Sequence, residues 1–457
     1  YQRGMFLERL ERWEDAKKTY ESAVQSLQLL LSLYPKNPQY GMAIASVWIR
    51  WGLLLQRDNQ WIESKQLLLN AIEQQLLCFE LRCGLRSSMD PISDDVNVKN
   101  EEWIERLIQR ASVLLGSIDR DDASFWRYLA EINYLEDIAS GFDGLGYALQ
   151  GLERYSLAES AVRISWVMRT QAQQHCPEQL WRHHLVARSE RHLGKLLMVL
   201  DKHVEALKLL EQAIQRMEVL VRESPDRIDY RIDWGQSLCE AARVFRIHGE
   251  AKRSVQAVKQ AIAIQEELAA QNPGFSSLKT DLATSVAILA LTLHAMQDEA
   301  GAIEQYKRTL QVDAKQVNAS NNFAWLLCTA IDKKLRDPVL ARTLALKAAQ
   351  ARPDFGTIWS TVALAHYRNG AYEDALRSWE KIGSYTSAVD YYVKAMIELE
   401  LGDLEKSIAA FELADEMRAN QKQDFPALLN FREECQALIQ GRLGQVTELE
   451  VVYIAPR

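Results

Sequence analysis

The chain has 457 residues, 48% hydrophobic and 25% charged, an ordinary balance for a soluble protein. Its formal net charge of −8, from 54 basic and 62 acidic residues, excludes nucleic-acid binding through bulk positive charge. Only 10 Pro and 20 Gly interrupt it, which predicts a chain that is nearly all helix.

In chain order, Gly4 and Leu7 already hold late positions of a first helix, so the opening reads as a truncated repeat with sequence missing upstream. Trp13–Leu33 follows as a second helix, closed by Tyr34-Pro35-Lys36-Asn37-Pro38, where Pro enforces the turn. Residues 40–57 and 59–82 form the next hairpin, with Trp48, Trp51 and Trp61 as core candidates. Residues 84–100 are polar and acidic and read as a loop, 101–116 as a helix, and 118–122 as a second polar break. Two readings of this region stand: a degenerate hairpin with an exposed loop, and a functional insertion that touches a partner. From Ala123 to Ala314 long repeats run without interruption; after Ala302 they shorten, with an irregular turn at Lys333–Pro338. A last copy holds Gly402, Phe411 and Ala414, and Phe425–Gln440 reads as a capping helix. The tail, Val446–Arg457, alternates weakly and reads as a loose strand or a disordered end.

The organising signal is periodic. Ala158, Ala206, Ser254 and Ala302 recur every 48 residues, and Ala16 and Ser64 keep the same interval. Twelve residues before each small position stand Gly4, Gly52, Gly146, Gly194, Ala242 and Ala290; three residues further on come Leu7, Leu55, Leu149, Leu197, Phe245 and Leu293. A fixed period of this size means stacked helical hairpins, each needing its neighbours to bury both faces. The Gly or Ala lets the paired helix approach, and the apolar residue one turn on fills the gap.

Trp359, Val362-Ala363, His366, Gly370, Tyr372, Ala375 and Trp379 give the closest single copy of a known pattern. That pattern resembles the tetratricopeptide repeat, W-x2-L-G-x2-Y followed by A-x3-F, A and P. The resemblance implies an all-α fold, a right-handed α-solenoid of hairpins. Here repeats of 48 residues precede repeats near the family's usual ~34. The expected organisation is tetratricopeptide-like repeats over 1–82, a degenerate hairpin with an acidic loop over 83–125, elongated repeats over 126–314, shorter repeats over 315–416, and a capping helix and tail over 417–457.

No catalytic motif is present: there is no phosphate loop, G-x-G-x-x-G, H-E-x-x-H or G-x-S-x-G, and no cofactor is expected. Asp354-Phe355-Gly356 spells the kinase metal-binding triplet but lies beside a Pro353 turn, with no companion kinase motif. His183, His184 and His192 share one helix without the further ligands that zinc requires, so solvated or partner-facing histidines are the favoured reading. Six Cys lack metal spacing and fall on or beside apolar helical stretches, which favours buried thiols, a reducing compartment and a cytoplasmic location. The charge-free runs Leu282–Gln297 and Gln316–Ile331 are too short and polar to span a membrane and read as buried helices.

The family resemblance further implies a concave groove, lined by the first helices of successive repeats, that holds a protein or peptide partner. Carried over by register, the groove-facing cations are Arg188, Arg191 and Lys195 on one helix and Arg243 and Arg246 on the next. Such a cluster suits an acidic segment. The competing structural reading has Asp143 neutralise Arg191 across the stack, with Glu136 and Asp137 doing the same for their neighbours. The long copies and the Asn321–Pro353 block also resemble the carboxy-terminal repeat regions of bacterial serine/threonine protein kinases from planctomycetes. Two functions follow: an interaction scaffold without catalysis, and a regulatory or substrate-docking region of a larger kinase.

Overall fold

The structure is a computed structural model that describes residues 2–10, 12–35, 37–83, 101–117, 133–420 and 426–454. The expected loop at 84–100 and the break at 118–122 lie outside the described residues. The described residues are helical, with short 3-10 turns and no strand among them. The chain divides into two compact units, Tyr1–His248 and Gly249–Arg457.

The first unit contains α1 (Gln2–Arg9), α2 (Trp13–Leu33), α3 (Pro38–Arg57), α4 (Trp61–Cys83), α5 (Glu101–Ser117), α6 (Tyr134–Gly151), α7 (Tyr155–His175), α8 (Leu180–Val199), α9 (His203–Glu223) and α10 (Ile228–Ile247). Consecutive helices pair as the hairpins α1/α2, α3/α4, α6/α7 and α8/α9, and each hairpin packs on the next through α2–α3, α4–α6, α7–α8 and α9–α10. Trp48, Trp51 and Trp61 flank the core half-buried, while the aliphatic residues and Phe142 fill it. The helix α5 lays Ile104, Leu107 and Ala111 into that core and is fastened by a buried two-pronged ion pair, Arg110 to Glu80, at 2.7 and 2.5 Å.

The second unit contains α11 (Ala251–Gln271), α12 (Ser276–Ala295), α13 (Glu299–Val312), α14 (Val317–Thr329), α15 (Pro338–Ala351), α16 (Gly356–Arg368), α17 (Tyr372–Trp379), α18 (Ala388–Glu400), α19 (Leu404–Ala419) and α20 (Pro426–Ile454). Its hairpins are α12/α13, α14/α15, α16/α17 and α18/α19, and α20 packs on α18 and α19. The irregular turn before Pro338 is built: the Glu299 carboxylate accepts the backbone N–H groups of Ile331 and Asp332 at 2.9–3.3 Å. Phe355 and Gly356 of the kinase-like triplet form the N-terminal boundary of α16. The tail departs from expectation, since α20 continues to Ile454. A lone strand leaves its backbone polar groups unpaired, whereas a helix satisfies its own.

The periodic small residues are where the helices touch. Ala16, Ser64, Ala158, Ala206, Ser254, Ala302, Ala341 and Ala375 are all fully buried. A Cβ on Gly4 would lie 2.4 Å from the Tyr20 ring, on Gly52 3.0 Å from Leu68, on Gly146 2.3 Å from Val162, and on Gly194 2.8 Å from Leu210. Each contact joins a first-helix glycine to the second-helix residue sixteen positions later. The turns between first and second helices repeat as well: Glu153, Asp201, Gly249 and Gln297 take positive φ of 60°, 61°, 75° and 63°, again at 48-residue intervals. The residue after each non-glycine one closes a bond back into the helix: Arg154 N to Leu149 O at 2.8 Å, Lys202 N to Leu197 O at 2.9 Å, Asp298 N to Leu293 O at 2.9 Å.

Gly146→Ala is expected to cost about 1–3 kcal/mol through overpacking on the stiff Val162, outweighing alanine's helix propensity; Val162→Ala in the same chain should reduce that cost, measured by urea unfolding. Glu153→Gly is expected to gain about 1 kcal/mol by relieving a left-handed conformation that L residues tolerate poorly; an unchanged or lowered midpoint would refute this.

Candidate functional site

In the first unit the first helices of three successive hairpins, α3, α6 and α8, line a cleft of about 310 Å³. Its walls carry Ser46, Arg50 and Leu53 from α3, Asp137, Ser140 and Tyr147 from α6, and Leu185 and Arg188 from α8. Side chains three or four apart share a helix face, so one apolar-and-polar stripe per helix is enough to build this surface.

Beneath it runs a buried ionic network. Arg169 of α7, 5% exposed, donates to Glu136 at 2.9–3.3 Å, to Asp143 Oδ2 at 3.2 Å and to Ser189 Oγ at 2.8 Å. It thereby ties α7 to α6 on one side and α8 on the other. Burial opposes the Arg169 charge, but Glu136 and Asp143 outweigh it and hold the guanidinium above its usual pKa. Burial likewise works to raise Asp143, yet Arg169 and the His192 hydrogen bond hold it well below the usual carboxylate range. Burial pushes His192 down, against the pull of Asp143. The neutral imidazole therefore donates Nδ1–H to the ionised Asp143 Oδ1 at 2.8 Å, since a carboxylate only accepts. The ring stacks on Tyr147, with centroids 3.7 Å apart and planes at 12°.

The five cations expected in the groove do not form one cluster. Arg188 and Arg191 converge on Asp233 of α10: Arg191 Nη2 donates to Oδ1 at 2.6 Å, and Arg188 Nε stands 3.7 Å from Oδ2. His184 Nε2 shares the same carboxylate at 2.6 Å. Burial works to raise Asp233, but the His184 hydrogen bond and Arg191 hold it below its usual range. Lys195 is exposed one turn beyond Arg191. Arg243 lies 3.4 Å from Glu240 on its own helix, and Arg246 is half-buried in the last turn of α10. Arg188 is 43% exposed and Arg191 only 18%, so the former keeps a face to the cleft while the latter serves the joint between α8 and α10.

Arg191 is neutralised across the stack, but not by Asp143. Asp143 serves Arg169 and His192, and Arg191 turns instead to Asp233, whose register mate on α8 is Leu185. Long helical side chains lean toward the N-terminus of their helix, so Arg191 reaches back along α10 rather than straight across to Asp143. Glu136 does neutralise a neighbour, Arg169, which the sequence reading had not singled out. A signal for Arg169 was present: its register mates are the core residues Met217 and Gln265, so a charge there had to be buried. The three histidines diverge, His183 to the Pro177 carbonyl at 2.8 Å, His184 to Asp233 and His192 to Asp143. Among the described residues no group of three His, Cys, Asp or Glu is arranged to hold a metal ion. Nor is any described helix long and apolar enough to cross a membrane.

Asp143→Asn is expected to cost about 1–3 kcal/mol, because Arg169 keeps Glu136 but loses its second carboxylate, and His192 loses a charged acceptor. The Asp143 pKa is depressed on folding, so this stabilisation is present above the unfolded value of 3.8 and is lost as pH falls through the lower folded value. Urea unfolding of both proteins from neutral to strongly acidic pH should show the gap closing only at the acid end.

Residues 391–421 match the family model described as a tetratricopeptide repeat. No curated protein matches the chain. Similar solved structures include a tetratricopeptide repeat protein from Parabacteroides merdae, 15% identical over 65% of this chain and 98% of that one, with a TM-score of 0.36. BtubC from P. vanneervenii is 15% identical over 48% of this chain and 93% of its own, with a TM-score of 0.37. YrrB, described as a TPR protein with an unusual peptide-binding site, is 13% identical over 53% and 97%, with a TM-score of 0.30. A tetratricopeptide repeat thus occupies residues 391–421, and helical hairpins recur through each of the two units.

Proposed function

We propose that the chain is a protein-interaction scaffold without catalysis of its own, and that it captures an acidic partner segment along the first helices of its Tyr1–His248 unit. The observation that carries this reading is the cleft across α3, α6 and α8 with Arg50 and Arg188 in its wall. Tetratricopeptide repeats bind protein or peptide partners, and a cleft that crosses three helices suits an extended chain better than a compact ligand. From the cleft the surface continues past Arg188 to the exposed Lys195 on α8 and to Arg243 and Arg246 on α10. Arg191 belongs to the same face but gives its charge to Asp233, so it positions α10 rather than meeting the partner. Carboxylates of the segment then meet Arg188 and Lys195 as charge-assisted hydrogen bonds.

The test uses fluorescein-labelled peptides of equal length and graded charge, followed by anisotropy. Acidic peptides should bind most tightly, and their affinity should fall with added salt. Arg188→Glu with Lys195→Glu should weaken acidic peptides about tenfold or more, roughly 1.4 kcal/mol, with helicity unchanged. Equal binding of acidic and basic peptides, or unchanged affinity in the double variant, would overturn the assignment.

A further inference from the structure

One carboxylate in the cleft has no partner to account for it. Asp137 lies in the first turn of α6 and lines the cleft between α3 and α8. Its main-chain carbonyl accepts Gln75 Nε2 from α4 at 3.0 Å, but its carboxylate has neither a hydrogen bond nor an ion pair among the described residues. The contrast with its neighbours is direct. Glu136 and Asp143, on the same helix, are both consumed by Arg169 from α7, and His192 from α8 takes the remaining oxygen of Asp143. Arg50 of α3 and Arg188 of α8 also line the cleft, yet neither sits where it holds the Asp137 carboxylate down. Burial, and then Glu136, push Asp137 up to about 6, the behaviour of a carboxylate withdrawn from water without a counter-charge.

Half-buried carboxylates without a cation are costly, and nothing in the hairpin contacts requires an acid at this position. The register mate of Asp137 one repeat later, Leu185, lines the same cleft with an apolar side chain. We propose that Asp137 is a subsite for one basic side chain of the partner segment, a lysine or arginine whose cationic head enters the cleft while its apolar stem lies along Leu185 and Leu53. The inference rests on the groove reading above and adds to it a composition: an acidic segment that carries a single basic residue. Snorkelling suits such a side chain, because the stem covers apolar wall while the head reaches the carboxylate.

Two labelled peptides test it, identical acidic sequences that differ at one position by lysine or by its uncharged isostere norleucine. At about pH 7.5, where Asp137 is ionised, the lysine peptide should bind about tenfold more tightly to the wild-type protein. At about pH 5 the advantage should shrink to about twofold or less, since affinity for a cation is full above the Asp137 pKa and is lost as pH falls through it. In Asp137→Asn the lysine advantage, read as the ratio of the two peptides on that same variant, should vanish at both pH values. Tight binding of both peptides without a lysine advantage would overturn this subsite and leave the groove reading intact. Failure of both peptides to bind would overturn the groove reading itself, and the subsite with it. Competition by free spermidine as strong as by the lysine peptide would reassign the site to polyamines and equally overturn the proposal.

Discussion

Everything in this molecule depends on how closely the two helices of a hairpin approach each other. At Gly146 and Gly194 the neighbouring Val162 and Leu210 occupy the space that a Cβ would need, so the absence of one methyl group sets the distance between helices. Once that distance is set, Ala158 and Ala206 are fully buried one step along the second helix, and the apolar residues Leu149 and Leu197 close the remaining gap. Dispersion contacts are individually weak but are lost together when such a seam opens. The left-handed residues Glu153 and Asp201 belong to the same constraint, because a close pair of helices leaves room only for a tight connection. That three such turns lack glycine shows the packing overriding a local preference.

The second organising device is electrostatic and works between hairpins. Arg169 ties α7 to Glu136 and Asp143 of its own partner helix and to Ser189 of the next hairpin, while Asp233 gathers His184, Arg188 and Arg191 of α8 onto α10. Buried ion pairs contribute less to stability than to geometry, since desolvation offsets much of their attraction. Here they specify which face of each first helix meets its neighbour, and so they shape the cleft. Of the charges on that surface, those in the network are already matched, Arg188 keeps part of its surface exposed, and Arg50, Asp137 and Lys195 make no ion pair among the described residues.

Much of the fold was legible in the chain itself. Small residues at a fixed interval identify a hairpin seam because only Gly, Ala or Ser tolerates such contact, and the helices Trp13–Leu33 and Ala251–Gln271 follow from the prolines and breaks around them. The tail misled because weak alternation over a short stretch carries no information about whether a second strand exists to pair with it; the chain there forms α20 instead.

The candidate surface was legible only in outline. Register alone places Arg188, Arg191, Lys195, Arg243 and Arg246 on the same side of successive first helices, since that follows from helical periodicity and a constant repeat. Which of them carries an unspent charge is decided by side-chain reach, by the lean of Arg191 toward Asp233 and by the arrival of Arg169 from a different helix at Asp143. Periodicity fixes the positions of Cα atoms around an axis, and a sequence therefore determines faces. Pairing depends on the few ångströms by which long side chains extend between helices, and only the tertiary structure decides those.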